Sequence, residues 1–172
     1  TPRTDNDEYW GGGIAWATPR DLSKLRGAVL TRTAQTITEA GFQSCSTHML
    51  PPGSVLFSSR APIGLVAIAG IPVCTNQGFK SLIPGPALDS HYLYWCIRRE
   101  SMRIAQQGAG STFAEVSKQV VSRFEIQVPT LAEQHRLAAL LDKVEEVRFD
   151  LSDSTGDASE LVAALAGVLF AV

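Results

Sequence analysis

Cysteine is scarce in this sequence. The 172 residues contain three, Cys45, Cys74 and Cys96, an odd number at wide spacing. That pattern fits reduced thiols in a cytoplasmic protein better than a disulfide framework. Cys45 and His48 in "CSTH" have metal-like spacing but no second pair of ligands, so a loop cysteine and a loop histidine are the better reading than zinc. Long apolar runs are missing too. None approaches the roughly 18 residues that a membrane-spanning helix needs, so no membrane association is expected. The opening "TPRTDNDEYW" is polar and does not read as a secretory signal. It starts on Thr rather than Met, as a fragment or a processed chain would.

Catalytic motifs are equally scarce. "GGG" at residues 11–13 lacks the wider glycine spacing of a dinucleotide loop and does not open directly into a helix. There is no GxxxxGK[ST] phosphate loop, and no "NPPY"-like stretch of the kind amino-methyltransferases use. Ser46, Thr47 and Ser90 neighbour histidines in capping or loop contexts, and sequence neighbours rarely build a triad. The reading is therefore of a non-catalytic chain, with no metal and no cofactor of its own.

Charge of one sign is not in excess overall: 15 Lys and Arg face 17 Asp and Glu, a net of -2. The distribution is uneven. Residues 1–128 hold 12 basic and 9 acidic residues, and residues 129–172 hold 3 and 8, so +3 and -5 sum to -2. A mildly basic body carries an acidic tail. With 45% hydrophobic residues, the body can bury a proper core.

Along the body, an aromatic, Gly-rich turn precedes a short strand "IAWA". Thr18, Pro19 and Asp21 then mark the start of a short helix carrying Arg20 and Lys24. Residues 31–50 read as polar and turn-rich. "SVLFS", "LVAIA" and "FKSLIP" read as strands, the apolar runs implying burial on both faces. A helix is expected from about 90 to 107, capped by Asp89 or Ser90, with Leu93, Cys96, Ile97 and Ile104 on one face. Thr112 and Glu115 have capping-box spacing for a second helical stretch, and "FEIQV" reads as a closing strand. These signals give an α/β, mixed-sheet domain over residues 1–129.

Residues 130–172 read as a long helix of coiled-coil type. Thr130 and Glu133 again have capping-box spacing. Leu137, Leu140, Val144, Val147 and Leu151 fall on steps of three and four, and Leu161, Leu165 and Val168 continue the register. Gly156 and "SDSTGD" weaken the middle. Such a seam calls for another helix, in cis or in a partner. His135 reads as a solvated surface residue.

Donor-rich loops are the remaining signal. Asn76 and Gln77 have side chains shaped for adenine edges, and Lys80 can meet phosphate. Ser111 and Thr112 sit at a glycine-rich helix start, where they cap a helix or greet a phosphate. Thr18, Arg20, Lys24 and Lys118 add donors. Arg60 sits alone in "SSRAPIG" between apolar strands; it either ties its loop down or holds a charge toward an anionic partner. Together these suggest nucleic acid.

The stretches "YWGGGIAWATPRDL", "LPPGSVLFSSRAPIG", "VAIAGIPVCTNQGFKSLIP", "YLYWCI", "GSTFAEVSKQVVSRFEIQVPTLAEQHRLAALLDKVE" and "LVAALAGVLF", in this order, resemble the specificity subunits of type I restriction-modification systems. The resemblance covers essentially the whole chain, as one target recognition domain followed by one helical spacer. It implies a non-catalytic subunit reading one half of a bipartite double-stranded DNA target. It further implies spacer helices that pair and dock DNA methyltransferase subunits holding S-adenosylmethionine; a restriction subunit can join. By position in the motifs, Arg60 and Lys80 imply backbone or scaffold contacts, with Arg60 expected to face the DNA backbone. Base-specific contacts are expected from Trp16 to Lys24 and from Arg32 to His48. Full family members carry two domains and two spacers, so this chain is either a half-subunit that forms a homodimer or a piece of a longer one. The competing expectations are an assembly module with a degenerate DNA-binding domain, or an enzyme.

Overall fold

The computed structural model describes residues 1–60, 62–107 and 115–152. After a short 3-10 turn at Asp7–Tyr9 come β1 (Trp10–Ala17), α1 (Pro19–Ser23), β2 (Val29–Leu30), β3 (Gln35–Ile37) and α2 (Glu39–Gln43). Then follow β4 (Val55–Ser58), β5 (Val66–Ala69), β6 (Val73–Thr75), β7 (Phe79–Leu82), α3 (Ser90–Gln107), α4 (Lys118–Val121) and α5 (Leu131–Ser152). The strands form two mixed sheets, ordered β3-β1-β6 and β2-β5-β4-β7. An α/β fold with mixed sheets and a C-terminal helix is thus the architecture.

The apolar strands are buried on both faces, as their composition predicts. Val55, Phe57 and Ile68 point into a core shared with α3 and α5, while Leu56, Ala67 and Ala69 point into a second core beneath α1. The two-residue period of a strand divides one continuous apolar run between two interiors.

Several local expectations fail. The glycines of residues 11–13 belong to β1 rather than to a turn, and a bulge shifts the register with β3 between Trp10 and Ile14. A Cβ on Gly12 would stand 2.5 Å from the Ile37 carbonyl oxygen, so the close approach of β3 requires glycine there. Residues 31–50 contain β3 and α2, not merely turns. Phe124–Val128 form no strand. Phe124 and Ile126 face the core and Glu125 between them faces water, but no described strand pairs with them. The second helical stretch shrinks to α4, capped by Ser117. Thr112 lies outside the described residues, and the Glu115 carboxylate bonds Arg60 and Lys80 instead of a helix start.

Asp89 caps α3, accepting from the Tyr92 N–H at 2.8 Å. The fully buried Gln134 of α5 fixes the approach to it. Its amide oxygen accepts from the Asp89 N–H, and its amide nitrogen donates to the carbonyls of Ala87 and Pro129. The predicted seam of α5 is only half right. Leu137, Ala138 and Leu141 are buried and Val144 packs against the same core, all in contact with this chain's own domain. Leu140 and Val147 are exposed, at 41% and 56%. The sequence pattern misleads because α3 meets α5 partly through polar groups. Asp142 binds His91 and the Trp95 indole, and Glu145 binds Arg98. The side chain of Leu151, and all of Leu161, Leu165 and Val168, lie outside what is described. No helix of the described residues is long and apolar enough to cross a membrane.

Candidate nucleic-acid interface

One cleft gathers loops that lie far apart in sequence. β1 and β6 run parallel with Ala17 opposite Thr75, so α1 and the turn after β6 leave the sheet at the same end. β3 pairs on the other side of β1, setting Gln35 opposite Trp16. β4 and β7 are antiparallel with Ser58 opposite Phe79, which brings Arg60 beside the same turn. The result is a cleft of about 460 Å³ whose lining includes Thr18, Arg20, Gln35, Arg60, Asn76 and Gln77. Five of the sequence-predicted residues meet there. A crevice at the carboxyl ends of parallel strands is a recurrent ligand position in open α/β sheets.

The polar groups in it are not equally available. The Thr18 hydroxyl donates to Asp21 at 2.7 Å, and Asp21 also accepts from the Thr18 N–H at 2.8 Å. The other Asp21 oxygen accepts from the Ala34 N–H, tying α1 to the loop before β3. Asn76 uses its amide oxygen on the Gly78 N–H at 2.9 Å, leaving the NH₂ as its free end. A bidentate contact to an adenine edge needs both ends. The Gln77 side chain is exposed, and its oxygen accepts from the Thr1 hydroxyl. Gln35 and Arg20 are exposed and carry no side-chain partner among the described residues. Gln35 therefore offers an intact donor and acceptor pair. Sequence reasoning placed it in a general loop rather than singling it out; the β-branched alternation of "QTI" was the available signal.

Beside this cleft runs a second groove of about 650 Å³, lined in part by Lys24, Arg26 and Arg32. All three are exposed and make no ion pair among the described residues. Arg26 was missed as a candidate. Lys118 is exposed on α4, while Ser111 and Thr112 lie outside the described residues. Trp16 is a correction: it is 1% exposed, packed with Ile37 and Cys74 and edge-on to Trp10, so it supports the sheet and meets no ligand.

Arg60 and Lys80 converge on one carboxylate. Glu115 Oε2 accepts from Arg60 Nε at 3.0 Å and Nη2 at 2.9 Å, and its Oε1 accepts from Lys80 Nζ at 2.9 Å. Those bonds, from Lys80 first and Arg60 second, hold the carboxyl below its usual range. No group of three metal-ligating side chains occurs among the described residues. Cys45 packs beneath α2 and His48 is exposed.

Comparison with known proteins supplies the context. Residues 1–155 match the model of the type I restriction modification DNA specificity domain. The chain is 37% identical over 172 residues to the type I restriction enzyme MjaIX specificity subunit of Methanocaldococcus jannaschii, covering 99% of this chain and 39% of that protein. It is 28% identical over 161 residues to the EcoR124I/EcoR124II specificity subunit of Escherichia coli, covering 89% and 39%. The chain thus spans about two fifths of the curated relatives it matches. In fold it resembles the HsdS subunit from Thermoanaerobacter tengcongensis, with a TM-score of 0.66 at 19% identity over 99% of this chain and 39% of that one. A chain from a solved type I R-M system gives 0.67 at 22% identity, covering 99% and 40%. The chain belongs to the type I restriction modification DNA specificity domain family.

Proposed function

We propose that this chain is a sequence-specific reader of double-stranded DNA, recognising one half of a bipartite target within a type I restriction-modification complex. The observation that carries the reading is the cleft at the ends of β1 and β6. There Arg20 and Gln35, without a side-chain partner among the described residues, lie beside Asn76 and Gln77, next to a groove edged by Lys24, Arg26 and Arg32. Cations supply sequence-independent grip on phosphates, and amides supply discrimination between base edges. Gln35 and Gln77 are the base readers in this account, with Asn76 as a donor. Arg20, Lys24, Arg26, Arg32, Arg60, Lys80 and Lys118 are the backbone contacts.

The chain itself is non-catalytic in this reading, as the relatives' name of specificity subunit supports. Methyl transfer falls to a cytoplasmic partner subunit holding S-adenosylmethionine, and a restriction subunit can join. The outer face of α5, with Leu131, Leu140 and Val147 exposed, is the surface for pairing with a second spacer helix, from another copy or from the rest of a longer chain. The test is selection of bound sequences from a random duplex pool at moderate salt. A gapped motif with two inverted halves is the result expected of a dimer, and one ungapped half-motif that of a single reader. No enrichment at any salt contradicts the proposal.

A further inference from the structure

The ion-paired triad of Arg60, Lys80 and Glu115 is built with more care than a chance surface contact. The β4–β7 register brings the two cations together, with Phe57 opposite Lys80 and Arg60 just beyond the end of β4. The carboxylate arrives from a third segment and is held by its neighbour. Val116 is 4% exposed in the core, and its N–H donates to the Ser59 carbonyl at 2.8 Å. Ser59 is itself bonded to Gly78, and Lys80 also donates to the Ser59 hydroxyl at 3.3 Å. Glu115 thus takes the Nε and Nη2 edge of the guanidinium together with the ammonium, the seat that an oxyanion such as phosphate would take. The pair remains within reach of solvent and of a large ligand, since the Arg60 side chain is 47% exposed and that of Glu115 35%. Ion pairs this exposed are weak enough to be exchanged for a competing anion.

We propose that Glu115 is an autoinhibitory counter-charge: its carboxylate fills the phosphate seat between Arg60 and Lys80, and only a duplex drawn close by base contacts in the adjoining cleft exchanges with it. The inference rests on the DNA-recognition reading. On unrelated duplex, which offers phosphates alone, the seat stays closed and two cations are withheld. On the target, base contacts made beside Arg60 and Gly78 offset the exchange. Opening the seat takes part of the free energy of the base contacts, so the like charge beside the phosphates lowers affinity for every duplex.

The experiment compares the wild-type chain with Glu115→Gln on unrelated duplex and on the motif recovered from the random pool, each over a salt series. Gln keeps the side-chain shape and removes the charge. The expected result is about fivefold tighter binding to unrelated duplex, with a salt slope steeper by roughly 0.9 for each phosphate newly met. Binding to the target should tighten at least as much, because the variant no longer makes the exchange, while its salt slope stays near wild type since the two cations already meet phosphate there. Glu115→Asp, too short to reach both cations, gives a smaller change of the same sign and carries the test if Glu115→Gln proves unfolded by circular dichroism. Wild-type binding with no gain, or a loss, in the variants overturns this inference alone and makes Glu115 a strut that aims the two cations. Absence of duplex binding by every form overturns the DNA reading and this inference together.

Discussion

The arginines of α3 and α5 and the cations around α1 are the same chemistry put to opposite uses. On the two helices all five arginines are answered. Arg98 and Arg148 both bind Glu145, Arg99 and Arg103 bind Glu100, and Arg136 binds Glu133. Arg98 also stacks 4.9 Å above the Trp95 ring. Around α1, Arg20, Lys24, Arg26 and Arg32 are exposed with no carboxylate in bonding reach among the described residues. In the first group every charge is compensated, and Arg98 bridges the two helices. The second leaves uncompensated positive charge on one side of a molecule whose net charge is -2. A count of charges hides this; pairing reveals it.

The sharpest way to break the comparison is at Glu145, which is 6% exposed and receives two guanidiniums. Glu145→Ala strands Arg98 against the core and should cost about 3 kcal/mol in denaturant unfolding, since removing one partner of a buried pair leaves a charge uncompensated. Arg26→Ala, on the other face, should cost no more than about 0.5 kcal/mol. Equal losses would erase the distinction.

The next effect is on association. Leu140→Asp should leave the unfolding midpoint unchanged and weaken self-association in sedimentation by at least about tenfold, because a charge would be buried in the pairing face proposed above. Val144→Asp is expected to unfold the domain instead, since Val144 packs on the inner core. A dimer that survives Leu140→Asp would place the interface elsewhere.

The smallest effect is a pH dependence at the same helix contact. The bond to Asp142 raises the His91 pKa above its ordinary 6.5, partly opposed by burial. A raised folded value means the contribution is complete below pH 6.5 and is lost as pH rises through the higher folded value. For Asp142, burial pushes its pKa up, but the bonds from His91 and Trp95 outweigh it and hold it below 3.8. Its contribution is present above that pH and fades in acid. His91→Gln should flatten the alkaline side of the stability profile, read as unfolding midpoints from pH 5 to 9. An unchanged profile would remove His91 from the contact.

Much of this was legible in the sequence, and the exceptions share a cause. The α1 start, the extent of α3, the Asp89 cap and the two-sided burial of β4 and β5 follow from local chemistry and period. What local pattern cannot supply is a partner. "FEIQV" alternates at Phe124, Glu125 and Ile126 as a strand does but has no strand to pair with among the described residues. The α5 seam looks apolar at Leu140 and Val147, while the polar contact with α3 runs through Asp142 and Glu145, and Gln134 bonds the segment just before that helix. Five candidate residues line one cleft, yet Trp16 is core and the Thr18 hydroxyl and Asn76 oxygen are spent on local bonds. Gln35 and Arg26 were overlooked because their distinction is the absence of a partner, which only the folded chain displays.

The measurement that bears most directly on the central claim is the salt dependence of duplex binding by two matched variants. One replaces Arg20, Lys24, Arg26 and Arg32 by Ala; the other replaces Arg99, Arg103 and Arg136 by Ala. The account predicts that the first loses roughly 3.6 from the slope of log affinity against log salt, at about 0.9 for each of four phosphate contacts removed, and that the second keeps the wild-type slope. Equal slopes, or a loss confined to the helix variant, would contradict it.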